Sequence, residues 1–218
     1  MFIAPPVLIP SAIQAVLTMV TKMAATVGPM IVKYAPIALE AFGKHLPKLL
    51  HTLEAVSMVT NVLRQNEQAE DLGAKAMVAE KKPEDFDAIN NYIHYLRDGV
   101  VLDKHTLSHD DTDVIARQAI GAAILLKAVE ETLDLGTPIS MSFLKTVSES
   151  GIDASVILSI IKSYTESGLN LSDLDGYLKS QLSLAESGKH SEALVEAFSQ
   201  ANPAMSLEQA EDAVMAMR

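Results

Sequence analysis

Apolar side chains crowd the first third of the chain more densely than one buried helix face requires. Between Phe2 and Val32 the only charged residue is Lys22, while Val7, Leu8, Ile9, Ile13, Val16, Leu17, Val20, Met23, Val27, Met30 and Ile31 fill much of the remainder. Pro5, Pro6 and Pro10 disfavour helix in the residues before them, so Met1–Pro10 reads as an extended apolar arm. Ser11 is the expected N-cap of a helix over Ala12–Val27 that is apolar on nearly every face. Gly28-Pro29 closes that helix and opens a second, to about Lys44 and kinked at Pro36. The two make an apolar helical hairpin. A third helix, from about Pro47 to Gln65, is amphipathic, with Leu49, Leu50, Leu53, Val56, Val59 and Leu63 at three-and-four spacing.

The pattern then alternates between polar stretches and shorter apolar ones. Asn66–Lys82 is charge-dense with Gly73 at its middle, and reads as a polar linker or a solvated continuation of the third helix. Pro83, Glu84 and Asp85 open a fresh helix that buries Phe86, Ile89, Tyr92, Ile93 and Leu96 and stops at Asp98-Gly99. Ser108 is the expected cap of the next one. Its body, Val114–Leu133, contains the run Ala119–Leu126, apolar all round, which predicts the buried centre of a bundle. Gly121, Ala122 and Ala123 would let a neighbouring helix approach closely.

From Leu135 onward three segments end alike, at Glu149-Ser150-Gly151, Glu166-Ser167-Gly168 and Glu186-Ser187-Gly188. Each glycine suits the left-handed position after a helix, so each tripeptide predicts a helix stop. Asp153 and Ser172 are the expected N-caps of the helices between them. Further helices are expected over Ser191–Gln200 and after Ser206, where Gln209 completes a capping-box pattern. No segment alternates in the manner of a strand. The expectation is an all-α fold, a multi-helix bundle with an apolar N-terminal helical hairpin and a C-terminal array of short helices. Its divisions fall at residues 1–65, 66–82 and 83–218, with the array over 134–218.

Composition sharpens this picture at two points. Hydrophobic residues make up 49% of the 218-residue chain, yet aromatics are only 5% and Trp is absent, so the apolar content is mostly helix-compatible aliphatic. The charge is divided: residues 1–65 carry five basic and two acidic side chains, and the rest carries 12 basic and 26 acidic. An acidic C-terminal two-thirds argues against nucleic acid, whose phosphates need neutralising. The slightly basic N-terminal third suits an anionic membrane or an acidic protein partner. A cleavable signal peptide is not expected, because the start lacks a positive n-region and prolines interrupt its apolar run. A constitutive membrane span is not expected either, since Ala12–Val27 falls short of about 20 apolar residues.

Candidate chemistry is sparse. With no Cys, disulfides, thiolate metal sites and a Cys nucleophile are excluded. His105 and His109, with Asp113 nearby, are the one stretch resembling a metal-ligand set. A cap at Ser108 would separate the two histidines across a helix boundary, and the acidic residues already suit the helix dipole. Asp173-Leu-Asp175-Gly176 fails as a calcium loop: aligning its glycine puts Leu171 and Leu182 where acidic ligands belong. No phosphate-binding glycine loop, nucleophile elbow or zinc-protease motif occurs. No cofactor and no catalytic residues are therefore assigned. The leading expectation is a non-enzymatic assembly protein using its N-terminal arm and hairpin for homo-oligomerisation or membrane interaction, as a translocator or pore-type subunit would. The alternative is a soluble helical adaptor or scaffold whose hairpin is simply buried core.

Overall fold

The apolar run at Ala119–Leu126 sits at the centre of the fold. The computed structural model describes residues 10–33 and 46–218, and those residues form an all-α bundle with no strand among them. In chain order the helices are α1 (Pro10–Lys22), α2 (Ala24–Val27), α3 (Leu46–Val59), α4 (Ala69–Val78), α5 (Ile89–Gly99) and α6 (Asp111–Thr132). The array follows as α7 (Met141–Ser150), α8 (Ala154–Glu166), α9 (Leu174–Leu178), α10 (Leu184–Ala201) and α11 (Leu207–Ala216). Residues 29–33 are also helical. Helices α1, α3, α4 and α5 pack on α6, and α3 also packs on α7 and α8, joining the array to the rest. One continuous apolar core runs from Val16 to Val214.

The stretch 66–82 is neither a linker nor an extension of the third helix. That helix stops at Val59, where Asn61 takes a left-handed φ of 60° and Val62 N donates to Ser57 O at 2.8 Å, a helix-ending arrangement. The polar stretch then forms α4, which buries Ala69, Leu72, Gly73, Ala74 and Ala76 against α6. Small residues make this contact. A β-carbon on Gly121 would collide with the backbone of Ala69, and one on Gly73 would collide with Arg117 O and stand 2.9 Å from Gly121 N. Two helix backbones therefore touch at a crossing built from Ala69, Gly73, Arg117 and Gly121. Arg117 locks it, donating from Nε and Nη2 to Glu70 Oε1 at 3.0 and 2.9 Å.

Helix ends are satisfied differently in the two parts of the chain. In the array most caps are local: Ser140, Ser183 and Ser206 each accept the amide three residues on, and Asn170 accepts the amide of Ser172, while Asp153 before α8 makes no side-chain capping bond. Nearer the N-terminus the side chains at the cap positions Gln68 and Ala88 make no such bond. Glutamates from other elements take their place. Glu54 accepts from Ala69 N at 2.7 Å, Glu84 from Met30 N at 2.7 Å, and Glu131 from Ile89 N at 3.0 Å. Each carboxylate satisfies an orphan donor and lies at the positive end of a helix dipole.

Several expected caps are displaced. Helix α1 begins at Pro10, where the missing N–H costs nothing, so Ser11 lies inside it. The cap of α6 is Asp110, and Ser108 instead accepts the amide of Asp110 at 3.2 Å. Asn170 rather than Ser172 caps the turn before α9. Gly151 and Gly168 adopt left-handed φ of 66° and 64° and stop their helices as expected. Gly188 does not: Glu186 pairs with Ser183 in a capping box, so the third tripeptide starts α10 instead of ending a helix.

Candidate functional site

Valines four residues apart seat the N-terminal hairpin. Val16 and Val20 are each 1% exposed on the side of α1 that packs on α6, while Gln14, Ala15, Thr18, Thr21 and Lys22 face outward. The helix expected to be apolar on nearly every face therefore works as an amphipathic one. Val27 and Ile31 are fully buried, again four apart, across a turn at Gly28 with φ of +87°. A β-carbon there would strike the Glu84 carboxylate, the group that accepts Met30 N. Leu17, Met23 and Met30 are half-buried against the same core. Val7, Leu8, Ile9, the side chain of Ile13 and the expected kink at Pro36 lie outside the described residues. No helix among the described residues is long and apolar enough to cross a membrane.

The histidine segment does not converge on a ligand. His105 and His109 are exposed, and Asp113 lies half-buried in the first turn of α6. Asp103 Oδ1 accepts the amide of His105 at 3.0 Å, which fixes a short 3-10 turn over Lys104–Thr106. Among the described residues no three His, Asp or Glu side chains come close enough together to hold a metal ion. The capping and turn chemistry of this stretch accounts for its polar residues.

Among the described residues a different histidine, His190, is the buried one. His190 is 4% exposed, its Nδ1 lies 3.0 Å from the Tyr164 hydroxyl, and its ring stacks on Tyr177 at 5.9 Å between centroids. Arg218 covers the Tyr177 ring at 4.9 Å. The stripe His190, Ala193, Leu194, Ala197, Phe198 on α10 announces this burial in the sequence, because a histidine there shares the helix face of four apolar residues. Burial lowers the His190 pKa and outweighs the opposing pull of Asp173 and Glu186. The folded protein then binds fewer protons here than the unfolded chain, so stability rises with pH through this window. We expect the unfolding midpoint to fall as pH drops below about 6.5, the ordinary histidine value. In His190→Gln, measured by thermal melts from neutral to mildly acidic pH, that slope should flatten.

Comparison of the chain with protein-family models, curated proteins and solved structures finds no match.

Proposed function

We propose that this chain is a non-enzymatic helical adaptor or scaffold whose N-terminal hairpin belongs to its own core. The observation that carries this reading is the burial of Val16, Val20, Val27 and Ile31, each at 1% exposure or less, in the core shared with α6. The apolar side of α1 and of residues 27–31, which could otherwise meet a partner, is buried within the subunit. Two buried polar residues support the non-enzymatic part: His190 is engaged by Tyr164, and Arg117 by Glu70.

The test replaces core valines by threonine, which keeps their shape and buries a hydroxyl. Val20→Thr and Val27→Thr should each lower the free energy of one cooperative unfolding transition by about 1–2 kcal/mol, the cost of burying a hydroxyl where a methyl packed. Unchanged stability in both variants would mean that the hairpin does not rest in the core, and the reading would fall.

A second reading, contact with an anionic membrane or between copies, draws on the outward side of α1. There Ala15, Thr18, Met19, Lys22 and Met23 line a shallow groove with an apolar floor and one positive charge. Co-flotation with anionic liposomes separates the two. The adaptor reading expects the protein to stay with the soluble fraction, and the membrane reading expects it to float.

A further inference from the structure

Helix α11 carries its exposed apolar residues in one line. Leu207 and Met215 are 64% and 61% exposed although both are large and apolar. They are eight residues apart, so with Glu211 between them they form a stripe about 12 Å long on one side of the helix. Across from it, α10 presents Ser191, Val195 and Ser199 at the same four-residue period, flanked by Glu192 and Glu196. The two helices pack on one another, and these stripes line the groove between them. Its floor is apolar at both ends and its rim is acidic. Glu192, Glu196 and Glu211 supply that charge, and Glu196 also accepts a bond from Gln200 at 3.1 Å.

We infer that this groove docks a basic amphipathic helix of a partner protein. The occupant carries two apolar side chains about two turns apart, seated by Leu207 and Met215, with Lys or Arg between them facing Glu211 and Glu192. Charge complementarity makes the choice. Anionic lipid and nucleic acid would meet a carboxylate rim, whereas a cationic helix is drawn to it and then desolvates the apolar floor. Met215 suits such a role, since a flexible thioether moulds to different anchors. The inference deepens the adaptor reading by naming the partner class, and it can fail on its own, because the threonine substitutions above probe only the hairpin.

The test uses the full chain and a fluorescent, amidated peptide of about 14 residues with leucine on one face and lysine on the other, beside a leucine–glutamate counterpart. The side chains altered are exposed and none makes a bond of the Ser206–Gln209 capping box, so the variants keep the fold; far-ultraviolet circular dichroism verifies it. In anisotropy titrations the basic peptide should bind at least about tenfold more tightly than the acidic one, and Leu207→Ser/Met215→Ser should weaken it about tenfold. Glu192→Lys/Glu211→Lys should weaken it as much, while Glu80→Lys/Asp87→Lys, an equal charge change on exposed residues elsewhere, should leave it within about twofold. Three results would overturn the inference. They are no binding, equal loss in the distant charge variant (general attraction to an acidic protein), and a groove variant that turns an oligomer into a monomer, which would make a second copy the occupant.

Discussion

Gly121→Ala should lower stability by about 3 kcal/mol, at the upper end of what overpacking a core costs. The added methyl has nowhere to go. It points at the carbonyl and Cα of Ala69, and a backbone cannot swing aside as the tip of a long side chain can. Alanine in a helix interior gains about 1 kcal/mol over glycine, so the net loss measures how firmly the crossing resists being spread. Gly73→Ala meets the same obstacle from the other side, at Arg117 O. Because each substitution forces the same two helices apart, the double variant should be much less destabilised than the two losses added together. Urea unfolding of the four proteins checks this. Additive losses would mean that the two glycines act at separate contacts.

Arg97→Met is the second large effect, again about 3 kcal/mol, the lower range for breaking a mostly buried ion pair from one side. Arg97 donates from Nε and Nη2 to the two oxygens of Glu67 at 2.7 and 2.6 Å, and from Nη2 to Val62 O at 2.7 Å. It thereby ties α5 to the turn that leads from α3 to α4. Burial raises the Glu67 pKa, but the bonds from Arg97 and from the Arg64 amide outweigh it and hold the carboxyl below its ordinary value. A carboxyl depressed in the folded state adds stability above its unfolded pKa and loses it as pH falls through the folded one. The gap between wild type and Arg97→Met should therefore be full near neutrality and narrow below about pH 4, as Glu67 is protonated. Urea midpoints at both pH values read it directly. A gap independent of pH would show that methionine costs packing and not charge.

The most informative difference between sequence and structure concerns α4. Its partner was legible: the apolar run of α6 and the small residues at Gly121 mark a central helix with room for a close neighbour. The neighbour itself was hidden, because hydropathy reads Glu67, Glu70 and Lys75 as solvated. In the fold Glu67 and Glu70 are held by Arg97 and Arg117, and Lys75 Nζ donates to Arg97 O at 2.9 Å. Those partners lie 22–47 residues away, beyond the reach of any local pattern. Leu72 apart, the apolar contact that α4 makes uses alanine and glycine, which weigh little on a hydrophobicity scale. Locally encoded features fared better, as in the Ser206–Gln209 box and the stops at Gly151 and Gly168. The tripeptide at Gly188 shows the limit of a short motif: a serine three residues before its glutamate reverses what it means. In the hairpin, density concealed direction. Two pairs of positions, each four residues apart, take the burial, and polar residues among them face out.

The borrowed caps also set an order on the ribosome. Met30 is made 54 residues before the Glu84 that will accept its amide, and Ile89 42 residues before Glu131. At roughly 10 residues per second, that is a wait of about 4–5 s, lengthened by the residues still inside the exit tunnel. The helix at 29–33 and α5 emerge with ends that nothing yet translated can satisfy, and the apolar faces of α1 and α5 still lack α6. In the array, α7, α10 and α11 have serine caps that precede them and close each of these helices as it appears. The nascent chain thus spends its longest unprotected interval with its most apolar segment outside the ribosome, where a chaperone that holds such segments would meet it first.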